Sequence, residues 1–228
     1  MAQTQCYRCG APASTREHAP PKSFFPRGGN LQLKTVPSCP AHNNSKSGDD
    51  QYLLAHITIS AAAADNLAKQ IFMRSIAPHL RRAPKFAKGI ARGSIQMDQG
   101  AAAYPVDVKR FDHFFDHLCY ALYFDRYGAR FDERNHLLTQ HYLSLTTHDP
   151  EELRHLALLS ESLRVFYEQF GSFVESYDAG HIDEVVYQNK IIDPAGPDAS
   201  ITIAHTFYGV FDVVSLLTRR PPVARAAT

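Results

Sequence analysis

Two short pairs, Cys6-x2-Cys9 and Cys39-x2-His42, bracket the start of this chain and limit what it can fold into. Each pair places two soft donors across a tight knuckle, the spacing that tetrahedral zinc selects. The 29 residues between the pairs then form a loop closed by the metal. A segment of about fifty residues buries too little apolar surface to order itself without such a staple. Oxidation of the thiols to disulfides is the competing reading. Against it, the first residues lack the charged, apolar, small-residue order of a secretory leader, and one of the four donors is His. Cys6, Cys9, Cys39 and His42 are therefore the expected ligands of a structural zinc ion. His42 also stands beside Asn43, where an imidazole has a second use in a reactive centre.

Inside the bracket, Thr15 to Ala19 is expected as a short strand ended by Pro20 and Pro21, which cannot donate to a ladder. Phe24 and Phe25 supply apolar anchors, and Arg27-Gly28-Gly29-Asn30 supplies a turn. Leu31-Gln32-Leu33 alternates as a second strand running on to Val36. A helix then begins at Pro40 and continues through Asp50 into Leu53. The local plan is strand, loop, strand, helix around zinc.

Glu17-His18, then an Asn after a Gly turn, then Cys-x2-His-Asn-x2-Lys-Ser is an order that resembles the HNH endonucleases, closest to members that carry a zinc-knuckle pair. The resemblance covers about residues 6–50. It implies a ββα-metal fold and divalent-metal-dependent hydrolysis of phosphodiester bonds in DNA or RNA. Position by position it implies His18 as the base that activates water, and Asn30 as the residue that ties down the loop holding that base. It implies Asn43 and Glu17 as protein ligands of a catalytic Mg²⁺ or Mn²⁺ ion. The chain departs from the family in reading His-Asn-Asn where His-Asn-His is frequent, and in carrying Glu where Asp is more frequent.

The chemistry asks for such residue types on its own terms. Phosphodiester hydrolysis needs an in-line nucleophile, positive charge on the phosphate and help for the leaving oxygen. A neutral imidazole, with an ordinary pKa of about 6.5, can take the proton from water. A carboxylate with an amide oxygen is a hard pair suited to Mg²⁺ or Mn²⁺. Lys46, one helical turn beyond Asn43, is placed to meet a phosphate. Each residue also has a plainer reading: His18 bonded to loop backbone, Asn30 as a turn residue, Lys46 as a solvated helix residue.

Charge adds a second strand of argument. The near-neutral chain, with 24 Lys and Arg against 23 Asp and Glu, hides an asymmetry. Residues 1–92 hold 13 basic and 4 acidic side chains, and residues 93–228 hold 11 and 19. Arg74, Arg81, Arg82, Lys85, Lys88 and Arg92 cluster along a stretch read as helical. Such a patch beside a candidate nuclease site suits a phosphate backbone, so nucleic acid is the expected partner. A solvated helix face, or a face docked on the acidic half, is the plainer account. No apolar run is long enough to cross a membrane, and a cytoplasmic location is expected.

The expected organisation is α+β in three parts: a zinc-stabilised ββα-metal, HNH-like module over 1–52, a helical basic arm over 53–94, and a mostly helical accessory domain of unassigned role over 95–228 that ends in antiparallel strands. Residues 49–77 are helical in pattern, with Ile57-Thr58-Ile59 as the weak point. Residues 95–108 are irregular. A helix over 108–127 starts at Asp107 and stops at Gly128. Its pairs Asp112-His113 and Asp116-His117 repeat at i, i+4, which puts both imidazoles on one face without a third ligand. The spacing predicts a further helix over 132–144, and another from Asp149-Pro150-Glu151-Glu152 to about Tyr177. Antiparallel strands follow over Val185–Ile192 and Ile201–Leu217. Cys119 is expected as a buried thiol. The accessory domain is also where copies of the chain would associate. Two other functions fit the same residues: a zinc module that binds nucleic acid without cutting it, and a protein-interaction adaptor with a purely structural zinc.

Overall fold

A computed structural model describes residues 4–28, 31–44, 46–97, 102–134, 136–147, 149–170, 173–178, 185–193, 195–196 and 199–220. Strands β1 (Thr15–Ala19) and β2 (Lys34–Ser38) form an antiparallel pair in which Glu17 faces Val36 and His18 faces Thr35. The second strand starts later than its alternation suggests, at Lys34 instead of Leu31. The shift lets Ser38 pair with Thr15 and delivers Cys39 directly to the cysteine cluster. Helix α1 (Pro40–Asn44) follows at once, and α2 (Ser47–Ala61) succeeds it after Lys46.

Helix α2 runs through Ile57-Thr58-Ile59. β-branched residues cost a helix only tenths of a kcal/mol, and here burial outweighs that. Ile57 and Thr58 are fully enclosed, and the Thr58 hydroxyl donates to the Leu54 carbonyl at 2.6 Å. The arm continues as α3 (Asn66–Ile71), capped by the Asp65 carboxylate on the Ala68 N–H at 2.6 Å. A π-helical turn over Phe72–Ile76 leads into α4 (Ala77–Arg82) and α5 (Pro84–Ala91). The two-residue strands β3 (Ile95–Gln96) and β4 (Ala102–Ala103) close the arm.

Helix α6 (Val108–Tyr127) is the central element. It ends as expected at Gly128, whose φ of +65° lets its N–H return to the Phe124 carbonyl at 2.8 Å. Asp107 sits at the N-cap, yet its side chain caps nothing; its backbone N–H donates to the Tyr52 hydroxyl instead.

The helix expected over 132–144 is a strand, β5 (His136–Tyr142), and the segment expected to extend a helix to Tyr177 is divided. There α7 (Pro150–Phe170) is capped by Asp149 on the Glu151 N–H at 2.9 Å, and β6 (Phe173–Asp178) is separate. With β7 (Val185–Ile192), β8 (Ile201–Phe207) and β9 (Phe211–Arg219) they form one antiparallel sheet of order β5-β9-β8-β7-β6. Both corrected segments are edge strands: β5 pairs with β9 and β6 with β7. Their short apolar runs fit either period, and a partner strand decides between them, 71 to 83 residues away for β5 and 7 to 18 for β6. The region after 95 is thus built on a sheet, and α+β holds for the whole.

Phe115 of α6 packs on His205 and Phe207 of the sheet, and Phe111 on Phe211. Phe24, in the connection between β1 and β2, inserts between Phe114 and Phe207. Its carbonyl accepts from the Tyr208 hydroxyl at 2.7 Å. One apolar core therefore runs from Cys6 to Leu217 across all three stretches of the sequence. Cys119 is fully buried in it, 3.5 Å from His205, and burial pushes its thiol up to about 12.

Candidate functional site

The Cys6–Cys9 knuckle turns on Gly10, whose φ of +74° is a conformation that favours glycine, with the Gly10 N–H bonded to the Cys6 carbonyl at 3.0 Å. The Tyr7 N–H donates to the Pro37 carbonyl at 2.8 Å and ties the knuckle to β2. Cys39 then arrives at the end of β2 and His42 on α1. The four donor atoms lie within 4.8 Å of one another. Cys6 Sγ and His42 Nδ1 are 3.9 Å apart, Cys9 Sγ and Cys39 Sγ 3.9 Å, and Cys39 Sγ and His42 Nδ1 3.2 Å. Tetrahedral zinc with bonds of about 2.0–2.3 Å sets such atoms about 3.5–3.8 Å apart, so the residues fit the ion. Burial, with Arg8 and His113 nearby, lowers the His42 pKa and keeps its imidazole neutral, the form that binds metal.

Successive strand residues point to opposite faces. Glu17 and His18 accordingly part company: Glu17 is 3% exposed, whereas His18 is half-buried on the other face of β1. His18 Nδ1 is buried with no partner. Burial, Lys22, Arg16 and Lys46, in that order, lower its pKa and hold the ring neutral. Arg16 is fixed by two hydrogen bonds to Thr35, at 2.8 and 2.9 Å, and Lys22 is exposed. The Asn43 side chain donates to the Arg16 carbonyl at 3.5 Å and pins α1 to β1. Asn30 lies outside the described residues.

Glu17 faces a closed polar cluster. One carboxylate oxygen meets the Lys46 ammonium, and the other accepts from the Tyr7 hydroxyl at 2.9 Å. Lys46 was expected at a phosphate; it is 5% exposed, because α2 starts beside it and turns its side chain inward. Its ammonium is also 3.8 Å from Asp50 Oδ1, a buried oxygen without a hydrogen bond. Burial pushes the Asp50 carboxyl up to about 6 against the pull of Lys46. The Tyr7 oxygen lies 2.9 Å from His117 Nδ1. The phenol has one proton and gives it to Glu17, so the bond from His117 is donated by its Nδ1–H. Burial holds His117 neutral, with a pKa near about 3.

Glu17 thus does not fit the role of ligand to a Mg²⁺ ion in this arrangement. Both of its oxygens are engaged, and a lysine ammonium already neutralises it. Mg²⁺ asks for six oxygens, several of them water, in a near-octahedral shell.

Five residues join the site that its sequence motifs do not include: Tyr7, Asp49, Asp50, His113 and His117. Tyr7 carries no signal beyond lying inside the knuckle, and Asp49 and Asp50 look like ordinary acids in a first helical turn. His113 and His117 did carry one, their i, i+4 spacing. His117 serves packing and the Tyr7 bond. His113, 46% exposed, meets the Asp49 carboxylate at 2.7 Å, which Arg110 also holds at 2.6 Å. His117 lies between His113 and His42 of the Cys3His cluster, with ring centroids 4.7 and 5.8 Å away.

Arg74, Arg81, Arg82, Lys85, Lys88 and Arg92 are all exposed, and among the described residues none of them forms an ion pair. Among the described residues no helix is long and apolar enough to cross a membrane. Comparison of the chain with family models, with curated proteins and with solved structures finds no match.

Proposed function

We propose that the zinc-closed β1–β2–α1 unit is a nuclease of the HNH class that hydrolyses phosphodiester bonds, with DNA as the favoured substrate and RNA as the other. The observation that carries this reading is His18: a half-buried imidazole near the end of β1, on the face opposite Glu17, with a buried Nδ1 that has no partner and a pKa lowered by burial and by the charges of Lys22 and Arg16. Neutrality is what a general base needs, and surrounding cations draw the phosphate to it. In this reading His18 takes a proton from a water in line with the phosphorus. Arg16 and Lys22 face the charge that grows on the phosphate oxygens. Asn43 acts by position, holding α1 against the strand that presents the base. A bound Mg²⁺ or Mn²⁺ would supply further charge on the phosphate. The zinc at Cys6, Cys9, Cys39 and His42 is structural, since all four tetrahedral positions are filled by protein. The unpaired cations of α4 and α5 supply a sequence-independent grip on a nucleic-acid backbone.

The sealed state of Glu17 favours a second reading, a zinc module that binds nucleic acid without cutting it. Supercoiled plasmid separates the two. Incubated with the protein and Mg²⁺ or Mn²⁺, it is expected to be nicked, with loss of nicking in His18→Ala and on addition of EDTA. Salt-sensitive binding without nicking, weakened in Arg81→Ala/Arg82→Ala, would establish the binding module in its place. A protein-interaction adaptor would show neither.

A further inference from the structure

We propose that Lys46 is the resident cation of a closed two-carboxylate site formed by Glu17 and Asp50. This ammonium, and not a divalent ion, neutralises Glu17 in the folded protein. The inference rests on the nuclease reading only in that the resemblance behind it implies Glu17 as a metal ligand. The geometry itself stands apart from any reaction.

Four observations converge. The Lys46 ammonium contacts one oxygen of Glu17 and lies 3.8 Å from Asp50 Oδ1, so it stands between the two carboxylates. Both partners of the pair are closed to solvent, Glu17 at 3% and Lys46 at 5% exposure. The second Glu17 oxygen is taken by Tyr7, which His117 of α6 holds from behind. Asp50 Oδ1 is buried without a hydrogen bond, so the enclosure holds two carboxylates for one ammonium. Such a site is short of positive charge, and a dication would satisfy it, but only where Lys46 now sits. A dication and an ammonium on one buried carboxylate repel strongly at low dielectric. Lysine attached to the fold has the advantage over an ion that must first shed water.

Lys46 then sets which cation the site accepts. The full-length, zinc-loaded chain is titrated with Mn²⁺, and free Mn²⁺ is followed by electron paramagnetic resonance. The parent and Glu17→Gln are expected to bind Mn²⁺ with the same affinity, because Glu17 is not a ligand in either. Lys46→Met removes the resident charge and is expected to bind Mn²⁺ at least tenfold more tightly than the parent. The double variant Lys46→Met/Glu17→Gln loses that gain. Lys46→Gln keeps a donor toward Glu17 and repeats the measurement should the methionine variant fail to fold. Weaker Mn²⁺ binding in Glu17→Gln, or no gain on neutralising Lys46, overturns the assignment. Because the readout is binding alone, these results hold whether or not plasmid is nicked.

Discussion

His18 and Glu17 are neighbours in sequence and belong to different environments. Strand alternation sends one side chain toward solvent and cations and the other into a sealed cluster, and their protonation follows. For His18 the consequence is a shift in pH response. Its pKa is lowered, so the neutral base persists below the ordinary imidazole value of about 6.5. The acid limb of nicking should therefore have its midpoint below pH about 6.5. Replacing Lys22 by Gln removes one source of the shift and should move that midpoint upward. A pH–rate profile of plasmid nicking for the two proteins checks both. A parent midpoint at or above the ordinary value would mean that the limb belongs to another group.

At the scale of elements, β1, β2 and α1 are short, and a zinc ion at the Cys6-Cys9-Cys39-His42 cluster, as proposed, would give them their order. A five-residue hairpin pair and a five-residue helix do not stand alone in water. The sheet β5–β9 has its own support, since α6 covers it with Phe111 and Phe115. Removing zinc with a strong chelator, or replacing Cys39 by Ser, should unfasten the hairpin first. Hydrogen exchange should speed up across residues 4–44 while the amides of β7, β8 and β9 stay protected. Equal loss of protection in the sheet would show that Phe24, wedged between Phe114 and Phe207, makes the two regions one cooperative unit. The basic arm is of another kind: its cations are exposed, and Arg81 and Arg82 bond only back to their own stretch of helix, at the Ala77 and Pro78 carbonyls, 3.3 and 3.2 Å away.

The whole molecule carries its pH dependence in buried imidazoles. His56, His117 and His205 are 5%, 4% and 0% exposed, and burial depresses their pKa values to about 4, about 3 and about 3. A histidine depressed in the fold binds its proton more readily when unfolded. Its contribution is therefore present above about pH 6.5 and lost as pH falls toward about 3 to 4. Each is worth up to about 1.4 kcal/mol per pH unit across that window. Asp50 has the opposite sign: its carboxyl is raised to about 6, so its contribution is present below about pH 4 and lost as pH rises through about 6. Among the described residues six histidines are depressed (His18, His42, His56, His117, His141 and His205) against three raised carboxyls (Glu17, Asp50 and Asp116), which predicts weaker stability at pH 4.5 than at pH 7.5. Urea unfolding at the two values measures the loss. His205→Gln, in the sheet and away from the zinc ligands, should show a shallower loss than the parent. An unchanged slope would place the dependence at the metal site.

Spacing along the chain was enough to announce the four residues of the Cys3His cluster, the first strand, the start and stop of α6, and strand β7. Each rests on local chemistry: knuckle spacing, prolines, a glycine at positive φ, a run of alternating side chains. What local chemistry did not contain was partnership. Residues 136–142 and 173–178 became strands because β9 and β7 offered them a ladder, and an isolated segment has no means to register an edge. Lys46 turned inward because Glu17, 29 positions earlier, needed a countercharge once Tyr7 and His117 had closed the space around it. The sequence by itself determined which residues could hold zinc and where the chain must turn. Only the tertiary structure decided which charges were left to solvent and which were sealed in pairs, because the cost of burying a charge depends on what is packed beside it.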